Sequence, residues 1–280
     1  MKLLYISTNE PDYLADCLFH GFYQLLGKDF THNGRYDLMY KTLTTAESLS
    51  NSYGRGFTVW GNLPEYLNEN DDIENKIKSK YFDLIVYGSF RRRNDYYDLV
   101  KEVYEKDKVV FVDGEDDQWV WDSMGHRLFK RELTWNAPNA HPIFFAIPAE
   151  KITKNIPSKI KKIADYIPQI TGSGYMYNTE EEYYNGYKES LYGLTHKKSG
   201  WDCMRHYEIL GNYCMPYFIG LEDCPEGTLA NLPKELLFEG KKLAENFEEQ
   251  KYFRILDEVF RYTQDNLTTK HIANYIISKL

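Results

Sequence analysis

Apolar and polar positions alternate along the chain in blocks that change period. Residues 3 to 6 are continuously apolar, residues 9 to 13 form a polar break, and an apolar-periodic stretch then runs from Leu14 to Leu26 and stops at Gly27. This reads as strand, loop and helix, with Asn9 or Asp12 as the cap and Gly27 as the stop. A strand is expected at Tyr36 to Tyr40, followed by a loop over Ser48 to Gly61 that carries Tyr53, Phe57 and Trp60. Residues 64 to 80 have a charged helical pattern, and Phe82 to Tyr87 is a compact strand-like run ending at Gly88-Ser89. A second amphipathic helix is expected over 95 to 106, then a buried strand over Lys108 to Val112 and an acidic turn, Asp113-Gly114-Glu115-Asp116-Asp117. Strands alternating with helices imply a parallel sheet covered on both faces, so the first 115 or so residues read as a Rossmann-like unit.

From 118 to 178 the pattern weakens. Pro138, Pro142, Pro148, Pro157 and Pro168 punctuate it, which suits a crossing between two domains. The alternation then resumes: helix over 179 to 190, strand over 191 to 195, helix over 201 to 212, strand over 214 to 219, and helices over 235 to 249, 251 to 266 and 268 to 279. The expected fold is α/β, with two Rossmann-like domains, 1 to 150 and 151 to 280, facing a cleft, and helices at the carboxyl end. Open parallel sheets bind ligands beyond the carboxyl ends of their strands, so the cleft is the place to look for chemistry.

Composition narrows the classes of function. At 280 residues, 42% hydrophobic and 27% charged, the chain matches an ordinary globular protein, which excludes collagen, a disulfide scaffold and wholesale disorder. A net charge of −8 disfavours a general nucleic-acid-coating role while leaving room for a local basic cluster around a small nucleotide. The longest apolar runs, such as Ile143 to Ile147, fall far below a membrane span, and the first residues read as a strand rather than a signal peptide, so a cytoplasmic protein is expected. Cys17, Cys203, Cys214 and Cys224 form no CxxC pair, and the seven histidines form no HExxH, so no metal site is expected. The 25 tyrosines stand out. They read first as compositional bias or core packing, and second as flat faces with a polar tip for a sugar or a base.

The segment His196 to Phe218 carries the most chemistry. Ser199-Gly200 offers a flexible approach to a helix whose free N–H groups would face an anion, and Lys197 and Lys198 stand just before it. Trp201, Arg205 and Glu208 are spaced i, i+4, i+7, which puts a ring, a cation and a carboxylate on one helix face. A carboxylate there suits a ribose diol and a guanidinium suits a phosphate. The competing reading is a surface Arg205–Glu208 ion pair at i, i+3, worth a few tenths of a kcal/mol.

The run Gly200-Trp-Asp-Cys-Met-Arg-His-Tyr-Glu208, continuing through Ile-Leu-Gly-Asn-Tyr-Cys-Met to Pro216, resembles the carboxyl-terminal nucleotide-binding motif of GT-B glycosyltransferases, in particular the group 1 and spore-maturation-type branch. The match covers about 190 to 240. The resemblance implies a nucleoside-diphosphate-sugar donor, with Glu208 on the ribose and Lys198, Ser199, Gly200 and Arg205 around the diphosphate, and no other cofactor. Retaining members carry an acidic residue eight positions before the motif glutamate, where this chain has Gly200, so the stereochemical outcome stays open. An inverting transfer needs a general base, and the acidic turn after the expected strand offers Asp113 or Asp116; a solvated loop or part of a metal site are the other readings. Arg91-Arg92-Arg93, after another strand end, fits an anion receptor or a solvated helix start equally well. The 129 to 133 and 142 to 148 segments are similar to the interdomain region of the same branch, where a basic pair faces the cleft. A non-catalytic nucleotide or nucleotide-sugar binding module is the alternative function, and an interaction scaffold using the 53 to 60 loop is a third.

Overall fold

The computed structural model describes residues 1–33, 36–50, 53–64, 72–166 and 176–280. Residues 51–52 of the expected loop, residues 65–71 of the expected helix over 64 to 80, and Pro168 lie outside them.

Six strands form one parallel sheet: β1 (Leu3–Ile6), β2 (Phe30–His32), β3 (Leu84–Tyr87), β4 (Val109–Asp113), β5 (Arg127–Lys130) and β6 (Ala140–Pro142), in the order β2-β1-β3-β4-β5-β6. Side chains alternate across it. Leu3, Tyr5, Leu84, Val86, Val110 and Val112 pack with helix α1 (Tyr13–Leu26) on one face. Leu4, Ile6, Ile85, Tyr87, Val109 and Phe111 pack on the other with Ile73 and Ile77 of α3 (Ile73–Lys78) and Val100 of α4 (Tyr97–Val103). Continuous apolar strands are what a sheet buried on both faces requires. The end signals of α1 act as expected: Asp12 accepts from the Ala15 amide and Gly27 takes φ 51°. Between β2 and β3 lies a short helix, α2 (Ala46–Ser50).

Two strands fall elsewhere than the pattern suggests. The strand expected at Tyr36 to Tyr40 is a single helical turn at Asp37–Met39, from which only Tyr40 bridges to Leu63, while the sheet strand is Phe30–His32. β5 and β6 lie within the weak-pattern region. Arg-Leu-Phe-Lys has only two apolar residues, and the Nζ of its buried Lys130 lies 3.4 Å from Asp113 and donates to the Glu115 carbonyl at 3.0 Å. β6 contains Pro142, tolerated because this is an edge strand.

A second parallel sheet has the order β7 (Lys161–Ile163), β8 (Ser190–His196), β9 (Met215–Ile219). Helix α5 (Glu180–Lys188) precedes β8 and begins with a reciprocal capping box between Thr179 and Glu182. Helix α6 (Met204–Gly211) joins β8 to β9, and α7 (Lys234–Lys242), α8 (Glu249–Asn266) and α9 (Thr269–Ser278) complete the chain. Among the described residues no helix is long and apolar enough to cross a membrane.

The last helix returns to the first sheet. A Cβ on Gly21 of α1 would stand 2.0 Å from the Thr269 carbonyl oxygen, so only glycine lets the two helices approach this closely. His20 binds Thr269 at 2.8 Å and Glu150 at 2.9 Å across the same seam. One apolar cluster therefore runs from Leu3 through Tyr192 and Tyr252 to Ile276, shared by both sheets.

Candidate functional site

A cavity of about 300 Å³ opens at the carboxyl ends of the first sheet's strands, between them and the β8–α6 connection. It brings together Lys198, Ser199, Gly200, Arg205 and Glu208 from the second sheet's side with Asp116 from the turn after β4. Tyr13, Phe57, Phe145, Tyr166 and Tyr183 supply an aromatic wall. Part of the tyrosine excess thus gathers at this site. Lys197, Trp201 and Asp113 do not line it.

The approach to α6 is built differently from the free helix start that the spacing suggests. The helix begins at Met204, after an N-cap at Cys203, so Trp201 precedes it and does not share a helical face with Arg205 and Glu208. Its ring is buried near Phe218, with Lys197 Nζ 5.3 Å from its centroid. The amides of Trp201 and Asp202 are taken: each donates to the Glu132 carboxylate at 2.9 Å. Glu132 also accepts from Arg131 Nη1 at 3.0 Å. A Cβ on Gly200 would lie 2.6 Å from Glu132 Oε1, 2.8 Å from Arg131 Nη1 and 2.8 Å from Asp116 Oδ1. Gly200 is therefore needed because the backbone passes hard against an ion cluster. Its neighbour amides hold a protein carboxylate, not an open anion site.

Beside the exposed Lys198, the cavity is lined by a second cation, Arg205. Its side chain is buried, and among the described residues no carboxylate lies within ion-pairing distance of it. Burial opposes the charge, yet the neighbouring Cys203, Tyr183, Tyr187 and Tyr166 hold its pKa above the ordinary arginine value. Its orientation follows from a chain of hydrogen bonds. The Trp201 carbonyl can only accept, so His206 Nε2–H donates to it at 2.9 Å; His206 Nδ1 then accepts from Thr195 Oγ1 at 2.9 Å, and Thr195 accepts from Arg205 Nη1 at 3.5 Å. Burial pushes the His206 pKa down to about 3, so this neutral tautomer persists at ordinary pH. A buried guanidinium lacking a counter-ion is costly unless an anion completes it.

Glu208 stands on the same helix, equally buried, and forms no ion pair with Arg205 among the described residues; the surface-pair reading does not hold. Its Oε1 accepts from Thr58 Oγ1 at 2.5 Å and its Oε2 from the Tyr183 hydroxyl at 2.7 Å. Burial raises its pKa, and those donors together with Arg205 oppose the rise. Each oxygen keeps lone-pair capacity for one more donor. Thr58 is itself unusual: fully buried and β-branched, it sits at φ 76°, a region that disfavours such residues. Its amide donates to Glu180 at 2.6 Å and its hydroxyl meets the Tyr184 hydroxyl at 2.7 Å, which over-determines the strained turn. Thr58, Tyr183 and Glu132 escape a reading based on spacing because their roles arise from long-range contacts. The tyrosine-rich stretch Tyr183-Tyr184 was the available signal.

The first-sheet groups divide. Asp113 is fully buried, accepting from Trp121 Nε1 and the Glu115 amide at 3.0 Å each, with Lys130 and Arg91 at 3.4 Å. Asp116 is half exposed, lines the cavity and is bound by Arg131. The three arginines are committed to carboxylates: Arg91 to Asp117, Arg92 to Glu115 and Arg93 to Asp95, all at 2.7 Å. Lys130 and Arg131, the expected basic pair, are buried in the same network. Among the described residues no group of three or more His, Cys, Asp or Glu side chains is arranged to hold a metal ion.

Asp202 lines the cavity from below, its Oδ2 accepting from the Phe145 amide at 2.7 Å. Burial pushes its pKa up to about 7, against the pull of Arg131 and that amide. A carboxyl raised in the folded state binds more protons there than when unfolded, so stability falls as pH climbs from about 4 to about 7. Replacing Asp202 with Asn should flatten that fall by at least a few degrees of melting temperature. Equal slopes of melting temperature against pH in the two proteins would contradict the assignment.

No family model matches the chain, and no curated protein matches it.

Proposed function

We propose that the chain is a glycosyltransferase that binds a nucleoside-diphosphate sugar in this cavity and passes the sugar to an acceptor without a metal ion. The carrying observation is Arg205, a buried guanidinium open to a cavity and lacking a carboxylate partner among the described residues. A diphosphate supplies that counter-charge, with Lys198 at the rim and the Ser199–Gly200 backbone beside it. Glu208 accepts the ribose hydroxyls, and the rings of Phe57, Tyr166 and Tyr183 offer faces for the base. The reading treats the two sheets as two Rossmann-like domains with the donor between them, in a cytoplasmic protein.

In the transfer, the acceptor oxygen attacks the anomeric carbon and the bond from that carbon to the diphosphate oxygen breaks, its electron pair leaving with the nucleotide. Arg205 and Lys198 neutralise the charge that develops there. Asp116, the cavity-lining member of the acidic turn, takes the acceptor proton. Asp113 holds the turn in place through Trp121 and Lys130.

Calorimetry with uridine, guanosine and thymidine diphosphates should show one of them binding tightly, and Glu208→Ala should weaken it by more than about tenfold, as expected for a lost charge-assisted hydrogen bond. Binding of none of the three would sink the proposal. A second reading, nucleotide binding without transfer, is favoured by the Arg131–Asp116 pair, since the guanidinium already occupies the carboxylate that would have to meet the acceptor hydroxyl. Donor binding with no sugar product from any acceptor or from water would decide for it.

A further inference from the structure

An open groove of about 680 Å³ is lined by three stretches that are far apart in the chain: positions 41, 61 and 62 between β2 and β3, the 150 to 155 segment before β7, and α5. Among the described residues it shares no lining residue with the first cavity. Tyr184 forms part of its wall, and the Tyr184 hydroxyl meets Thr58, whose own hydroxyl holds Glu208 in the first cavity. One hydrogen-bonded set thus divides the two.

Four lysines and two glutamates line the groove, and the two carboxylates are already committed. Glu150 is bound by His20 at 2.9 Å, and Glu180 is bound by Lys151 and by the Thr58 amide. Lys41, Lys154 and Lys188 remain, and among the described residues none of the three has a carboxylate within ion-pairing distance. Lys188 has a local reason for its place, since it stands in the last turn of α5, where a helix favours a cation. Lys41 and Lys154 lie outside helices and strands and have no such reason. Three cations from three separate segments therefore converge on one concave surface of a chain whose net charge is −8. Like charges gathered around a concavity repel one another and concentrate a positive potential there, which an anion relieves.

We propose that this groove is a second anion site, which takes a small molecule carrying two phosphate groups, held by Lys41, Lys154 and Lys188. A phosphate group carries about −1.5 to −2 at neutral pH, so two of them balance three lysines where one does not. Lysine suits such a ligand because its ammonium is a point charge on a flexible stem, which follows a phosphate without demanding one orientation. The site is separate from the nucleotide cavity and does not depend on the function assigned to it.

Inorganic pyrophosphate is the probe. In calorimetric titrations of the full chain at one salt concentration it should bind saturably, and Lys41→Gln/Lys154→Gln should weaken it at least about tenfold, as expected for two lost charge-assisted contacts. Both positions are exposed, so the melting temperature should not change. Lys251→Gln/Lys270→Gln removes the same charge from exposed positions on α8 and α9 and should leave the affinity as it was. Arg205→Met, which alters the first cavity, should keep a pyrophosphate site. Absence of saturable binding to the wild-type chain, undiminished binding to Lys41→Gln/Lys154→Gln, or equal weakening by the two lysine pairs would each overturn the proposal. So would loss of all pyrophosphate binding in Arg205→Met, which would put the anion in the first cavity.

Discussion

Replacing Arg205 with methionine should reduce nucleoside-diphosphate affinity by about 100-fold or more while leaving the unliganded protein as stable as before, or more so. The two effects share one cause. Removing the partner of a desolvated, charge-assisted contact costs about 2 to 5 kcal/mol of binding. The same guanidinium has no carboxylate partner among the described residues in the unliganded protein, and methionine fills a similar volume without the desolvation penalty. The lost bond to Thr195 is long, at 3.5 Å, and Thr195 keeps its bond to His206. Calorimetry and thermal melts on one preparation read both quantities. A variant that loses stability and affinity together would mean that Arg205 is a structural cation, and the anion-site assignment would fall.

The second large effect concerns Glu132, where alanine should destabilise the fold by about 3 to 5 kcal/mol. This carboxylate accepts the amides of Trp201 and Asp202 and one guanidinium nitrogen of Arg131, all away from water. Its loss leaves two buried donors unmade and a buried cation with less compensation. Glu132→Gln keeps one acceptor oxygen and should recover part of the loss. Urea unfolding measures both variants; a midpoint for Glu132→Ala within error of the wild type would refute the account. Because Glu132 fixes the 200 to 202 turn under the cavity, nucleotide affinity should fall with the fold.

The sequence pattern reached some of this architecture and not the rest, for identifiable reasons. β1, α1, β3, β4 and β9 are runs whose burial is mostly apolar, and hydrophobic period reports them directly. β5 offers only Leu128 and Phe129 as an apolar signal, and its buried Lys130 is held by Asp113 and the Glu115 carbonyl, contacts that no apolar period records. At the site, Arg205, Glu208 and Gly200 were legible as residues because a helical spacing joins the first two and a glycine precedes them. The reason for Gly200 was not legible: it makes room for Glu132 and Arg131, some 70 positions away in the chain. Thr58 was equally out of reach, since its strained turn is held by Glu180, Tyr184 and Glu208, all from the far side of the cavity.

The seam between α1 and α9 also constrains the order in which the molecule can assemble. His20 and Thr269 meet across 249 positions, and the apolar face that α1 turns away from its own sheet is completed by Ile272, Ala273 and Ile276. On the ribosome, the first sheet can form its parallel ladders early, but α1 keeps an uncovered side until α9, some 249 positions later, has emerged. Contacts of such separation are slow to close and leave apolar surface open to wrong partners in the interval. Chaperone dependence during synthesis is thus expected to lie with the segment around α1, although the missing piece is α9.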